Sequence, residues 1–216
     1  MVVVRYADDF IVGFQYRREA ERFLHELRER LLKFGLGLHP DKTRLIEFGR
    51  FAAKDRPQRG QGKPETFDFL GFTHIFARKR LSQTVHVRRK TESRRLRAKV
   101  QAVRQALLQQ RHRPVPVQTT WVRQVVQRHY NFYAIPGNMA ALEAFRREVL
   151  HHWLHALRRR SQRARLPWRR FGQLTDRCIP KPTILHPHPN ERFYAKHPKA
   201  SRASPPLCAA HETKAV

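Results

Sequence analysis

At 216 residues the chain has room for one or two small domains with a real core. Its 45 Lys/Arg against 17 Asp/Glu leave a net charge of +28, which excludes an ordinary enzyme surface and points to a polyanionic partner, nucleic acid by default. Two cysteines in no paired spacing, Cys178 and Cys208, argue against a disulfide scaffold or a zinc site and fit a reducing cytoplasm; no apolar run reaches the length of a membrane span. Residues 1–50 hold ten Lys/Arg against eight Asp/Glu, so nearly all of the excess charge falls later in the chain.

The first element is Val2-Val3-Val4-Arg5-Tyr6-Ala7-Asp8-Asp9-Phe10-Ile11-Val12-Gly13-Phe14. Two apolar, β-branched runs read as buried strands, and Ala7-Asp8-Asp9 between them reads as the tight turn of a hairpin. On a straight strand neighbouring side chains point to opposite faces, whereas at a turn both acids can approach one spot. Close carboxylates repel unless a cation lies between them, and hard oxygen ligands favour Mg²⁺. An isolated Asp-Asp is more often a plain polar turn; the flanking strands shift the balance here. Tyr6-Ala7-Asp8-Asp9 between strands resembles the catalytic turn of reverse transcriptases.

Ala20, Phe23, Leu24, Leu27, Leu31 and Phe34 then recur at helical spacing, predicting a helix from about Tyr16 to Phe34 with a core-facing stripe and Gly35 as its C-cap. A turn at Pro40 leads to a strand over Leu45–Phe48. Residues 52–65 read as a polar loop. Thr66–Phe76 returns to a strand-like aromatic pattern around Gly71, a position where a glycine marks a bend or a close backbone approach.

From Arg78 to Arg113 there are thirteen Lys/Arg and one acid, Glu92. Leu96, Val100, Val103 and Leu107 fall at helical spacing, with Arg94, Arg95, Arg97, Lys99 and Arg104 on the other positions. A solvated face mixes signs, so a helix with a purely cationic outer face fits a phosphate backbone better. Arg113-Pro114-Val115-Pro116 reads as a stiff linker. Helices are predicted over Thr120–Tyr133 and over Met139–Arg160, the second with Leu142, Phe145, Val149, Trp153 and Leu157 inward, and a short third helix starts near Pro167. Seven arginines lie between Arg158 and Arg170, among them Arg158, Arg159, Arg160, Arg169 and Arg170, interleaved with aromatics as in RNA contact surfaces. His151 and His155 stand four apart on one helix face, a zinc-like spacing that no nearby Cys, Asp or Glu completes, so a solvated or stacking role is favoured. His186–Phe193 is Pro-rich and reads as extended, and the end of the chain as a disordered tail.

Three further blocks carry the resemblance onward in order. Lys42-Thr43 resembles the reverse-transcriptase block after the Asp-Asp turn, and Phe69-Leu70-Gly71-Phe72 resembles the hairpin that grips the primer. Tyr130-Asn131-Phe132-Tyr133, Pro136-Gly137-Asn138, Trp153 and Arg158-Arg159-Arg160 resemble the maturase domain, domain X, of bacterial group II intron reverse transcriptases. The resemblance covers roughly residues 2–193. It implies an α+β fold: a C-terminal part of the palm (1–77), a thumb-like basic helical region (78–113), a maturase helical region (114–193) and a tail (194–216). It also implies an RNA-directed DNA polymerase with maturase function, located in the cytoplasm and binding intron RNA and an RNA/DNA template–primer. Asp8 and Asp9 would be catalytic ligands of Mg²⁺, and Tyr6, Ala7, Lys42, Leu70 and Gly71 would lie near nucleotide or primer. For Lys42 a solvated lysine beside a turn remains the other reading. The family's site uses a third carboxylate on an earlier palm strand, and Asp41, Asp55 and Asp68 lie in the wrong segments to replace it. The chain is therefore expected to be a truncated C-terminal part lacking the fingers and that acid. Its alternatives are a non-catalytic, intron-RNA-binding maturase remnant or a general basic nucleic-acid binder.

Overall fold

A computed structural model of the chain describes residues 1–78, 85–160 and 166–196. They form two compact units, Met1–Glu47 and a second starting at Phe48. The architecture is α+β, with two small antiparallel sheets and seven helices among the described residues.

In the first unit, β1 (Val2–Tyr6) pairs with β2 (Asp9–Gly13) in the register Val2↔Gly13 to Tyr6↔Asp9. The expected hairpin is present, but its strands are not buried: Val2, Val3 and Val4 are 67%, 54% and 50% exposed. β-Branched residues set strand geometry locally, whereas burial needs a covering layer, and this unit offers two strands and one helix. That helix, α1 (Arg17–Leu32), follows the predicted stripe. Its Ala20, Phe23, Leu24, Leu27 and Leu31 are half-buried, while Phe34 lies past the helix end and is exposed. Phe14 meets Phe23 ring to ring at 5.3 Å. Gly35, at φ +67°, ends α1 as expected, with the Leu36 N–H on Leu31 O and the Gly35 N–H on Leu32 O, the paired bonds of a Schellman motif. The strand expected over Leu45–Phe48 is absent; the segment is irregular and finds no pairing strand among the described residues.

The second unit opens with a helix where a loop was expected, α2 (Arg50–Gln58). Ala52 is buried, and Arg56 ties the following turn by donating to Lys63 O and Gln61 O. A three-stranded sheet follows in the order β3 (Phe67–Phe69), β4 (Phe72–Arg78), β5 (Val85–Thr91). Thr66–Phe76 is thus a hairpin turning at Leu70-Gly71, as expected of Phe69–Phe72, with the glycine at the bend. β5 was unforeseen, since its stretch was read as part of a helical region. Residues 79–84 lie outside the described residues.

The core is helical. α3 (Ser93–Gln109), α4 (Val115–Tyr133), α5 (Met139–Arg158) and α6 (Trp168–Cys178) enclose it. Val103, Leu107, Val122, Val126, Phe145, Trp153 and Phe171 are all buried, and so are all five α5 residues predicted to face inward. The supposed linker Arg113–Pro116 is the start of α4: Pro114 is its N-cap and Pro116 sits in its first turn, where a missing N–H costs nothing. Gln118, also buried, binds this start to its neighbours. Its Nε2 donates to Gln110 O, Arg111 O and Arg113 O at 2.8–3.2 Å, while its Oε1 accepts from the Trp153 indole at 2.9 Å. The segment read as extended becomes helical at α7 (Pro189–Lys196), which also takes the first residues of the expected tail. The remainder of the tail lies outside the described residues. Among the described residues no helix is long and apolar enough to cross a membrane.

Candidate nucleic-acid interface

The β1–β2 turn has two residues, Ala7 and Asp8. Ala7 adopts φ +53°, left-handed for a residue with a Cβ and costing roughly 1 kcal/mol. Its carbonyl accepts the Arg5 guanidinium at 2.8 Å. Asp8 occupies the turn and Asp9 opens β2 opposite Tyr6; all three are exposed. Neither carboxylate makes an ion pair among the described residues, and both present hard oxygen donors to solvent, a donor set suited to Mg²⁺. Among the described residues no three His, Cys, Asp or Glu side chains stand close enough to hold a metal ion together. Lys42 is exposed in the loop after Pro40, with its backbone N–H on His39 O.

The second turn, Leu70-Gly71, also runs left-handed, at φ +50° and +80°. That pair of angles matches the right-handed twist of β3 and β4. Here the cause of the glycine is visible: a Cβ on Gly71 would sit 3.1 Å from the Tyr133 hydroxyl and 3.6 Å from the Arg95 guanidinium. Phe72 stacks on Phe132 at 5.8 Å and meets Tyr133 edge-on at 5.2 Å. Asn138, buried, joins the sheet to the helices by accepting the Thr91 N–H at 2.9 Å and donating to Thr91 Oγ1 and Tyr133 O at 2.8 Å each. Thus Leu70-Gly71, Arg95, the aromatic end of α4 and Asn138 converge on one place. Spacing alone could not show that meeting; the one hint was a glycine set between aromatics.

Arg94, Arg95, Arg97 and Arg104 are exposed on α3, with Arg95 paired to Glu92 at 3.0 Å. Arg169 and Arg170 are exposed in the first turn of α6. Both helices carry two arginines and no acid within the first turn, where the helix dipole favours negative charge, though Glu92 stands at the N-cap of α3. Arg159 is exposed, Arg158 donates to Leu166 O at 2.9 Å, and Arg160, half-buried, donates to Arg113 O. Beside these groups His152 is held below the ordinary imidazole range, first by burial and then by His151 and Arg104. His129 stacks on Phe145 at 3.7 Å and is pushed down to about 4, mainly by burial and also by Lys99.

Residues 1–74 match the family described as reverse transcriptase (RNA-dependent DNA polymerase). The matched reverse-transcriptase segment is about a third of the chain and contains the Asp8-Asp9 turn, Lys42 and the Leu70-Gly71 turn. No curated protein and no solved structure matches the chain.

Proposed function

We propose that the chain is part of a group II intron-encoded reverse transcriptase, an RNA-directed DNA polymerase with maturase function. The observation that carries the polymerase part is the reverse-transcriptase match over residues 1–74, which takes in both left-handed turns; the intron and maturase part rests on the resemblance of Tyr130–Tyr133, Pro136–Asn138, Trp153 and Arg158–Arg160. In this reading Asp8 and Asp9 hold Mg²⁺, which when bound activates the primer hydroxyl and offsets charge on the leaving pyrophosphate. A third carboxylate comes from a segment other than the β1–β2 turn. Tyr6 and Ala7 border the nucleotide, Lys42 neutralises its phosphates, and Leu70-Gly71 presents backbone to the primer strand. Arg94, Arg95, Arg97, Arg104, Arg158, Arg159, Arg160, Arg169 and Arg170 hold intron RNA or the template–primer. The paired arginines at two helix starts support this, because a phosphate there satisfies guanidinium and helix dipole together.

Primer extension on an RNA template with Mg²⁺ tests the polymerase. Asp8→Asn should lower it by more than about 100-fold, beyond the loss from an outer-sphere partner; extension that survives the change contradicts the assignment. Among the described residues no third ligand stands near the two acids, which favours a second reading, a non-catalytic intron-RNA-binding maturase. Under it intron RNA outcompetes random RNA of equal length at physiological salt, and equal competition rejects it.

A further inference from the structure

We propose that the cleft between β5, the α4–α5 turn and α7 is a further phosphate site, which takes a phosphodiester of bound RNA apart from the arginines already named. The inference rests on the reading of the chain as RNA-binding. The cleft has a volume of about 300 Å³ and is lined by Arg89, His186, Arg192 and Lys196 against Ile135 and Pro136. Among the described residues no carboxylate lines it.

Two half-buried arginines elsewhere in this unit have acids beside them, Arg146 meeting Asp176 at 3.3 Å and Arg56 meeting Glu65 at 3.9 Å, while Arg111 and Arg160 bond a histidine ring and a carbonyl. Arg89 is half-buried too, yet among the described residues it has no carboxylate partner, and neither has Arg192 or Lys196. Burial first, and then the charge of Arg192, hold the Arg89 guanidinium below its ordinary range. Both causes oppose the charged form, and an anion between the two guanidinium groups reverses the second.

The walls are built before any ligand arrives. The Leu185 and His186 N–H groups both donate to Ala134 O, at 3.0 and 3.2 Å. The His186 ring meets Asn131 O through Nε2 at 2.7 Å, and since a carbonyl only accepts, Nε2 carries the proton there. Pro136, Pro187 and Pro189 stiffen the rim. The lining offers fork-shaped donors suited to a phosphate and, among the described residues, His186 as its ring. It therefore reads backbone, not sequence.

The test is binding of the full chain to a labelled RNA hairpin of arbitrary sequence, followed by anisotropy over a salt series. Arg89→Gln/Arg192→Gln should weaken binding roughly tenfold at fixed salt and flatten the salt slope by about 0.7–0.9, one phosphate's worth. A folded double variant with wild-type affinity and slope overturns the proposal. Should Arg89→Gln disturb folding, Arg192→Gln and Lys196→Gln carry the test, and unchanged slopes for both overturn it. Replacing chloride by orthophosphate at equal ionic strength separates the sources. If the variants alter only phosphate sensitivity, the cleft holds a free anion and the RNA assignment falls. If the unmodified chain fails to bind the hairpin, the RNA-binding reading falls with it, whereas binding insensitive to these substitutions removes the cleft alone.

Discussion

Two buried side chains set what single substitutions do. Asn138 satisfies the Thr91 N–H and hydroxyl and the Tyr133 carbonyl together. Asn138→Ala strips the buried Thr91 N–H and hydroxyl of this partner, while Tyr133 O keeps the Ile135 N–H, and we expect a loss of about 2–3 kcal/mol in urea unfolding. His129 has a folded pKa of about 4 against an ordinary 6.5, because burial disfavours its charge. The unfolded chain therefore binds the proton that the folded chain refuses. Stability from this group is complete above pH 6.5 and is lost as pH falls toward 4, by up to about 3 kcal/mol. His129→Phe should flatten that part of the stability–pH profile, and an unchanged acid slope would refute the assignment.

At the scale of an element, α6 and α3 place arginines where the helix dipole favours acids. For α6 the two roles separate. Arg169→Glu/Arg170→Glu should raise helix stability by about 0.3–1 kcal/mol per residue while weakening RNA binding. Thermal melting and RNA titration thus move in opposite directions; a variant that melts higher and binds equally well removes these residues from the interface. The start of α4 hangs on Gln118, whose amide serves three carbonyls and the Trp153 indole. Gln118→Leu should cost about 1–3 kcal/mol in chemical denaturation, since the buried Trp153 indole N–H and the Arg111 carbonyl lose their bond, while Gln110 O keeps the Arg113 N–H and Arg113 O keeps Arg160.

For the molecule as a whole, the sequence was most legible where one face repeats. Leu142, Phe145, Val149, Trp153 and Leu157 mark α5, and the two apolar runs around Asp8-Asp9 mark the first hairpin. Burial of that hairpin was not legible, because valines report strand propensity rather than what covers them. α2 and α7 were hidden by their own composition: Lys54, Asp55 and Pro57 in one, and the prolines before Asn190 in the other, read as loop. β5 was hidden by its charge, since Arg88, Arg89 and Lys90 look like the basic helix that follows. Of the site, the acid turn and the glycine turn could be read from motif. The packing of Tyr133 over Gly71, the Asn138 tie to Thr91 and the cationic cleft at Arg89 join residues far apart in sequence, and only folding brings them together. In the proposed function the acids of the first turn act on an RNA template and the basic helices bind RNA. Four RNA templates differing only in the first base to be copied, each offered all four labelled deoxynucleotides in turn, decide whether the chain copies RNA. Mg²⁺-dependent addition should follow the complementary base and disappear in Asp8→Asn/Asp9→Asn; addition indifferent to the template base, or equal in that variant, would rule the polymerase out.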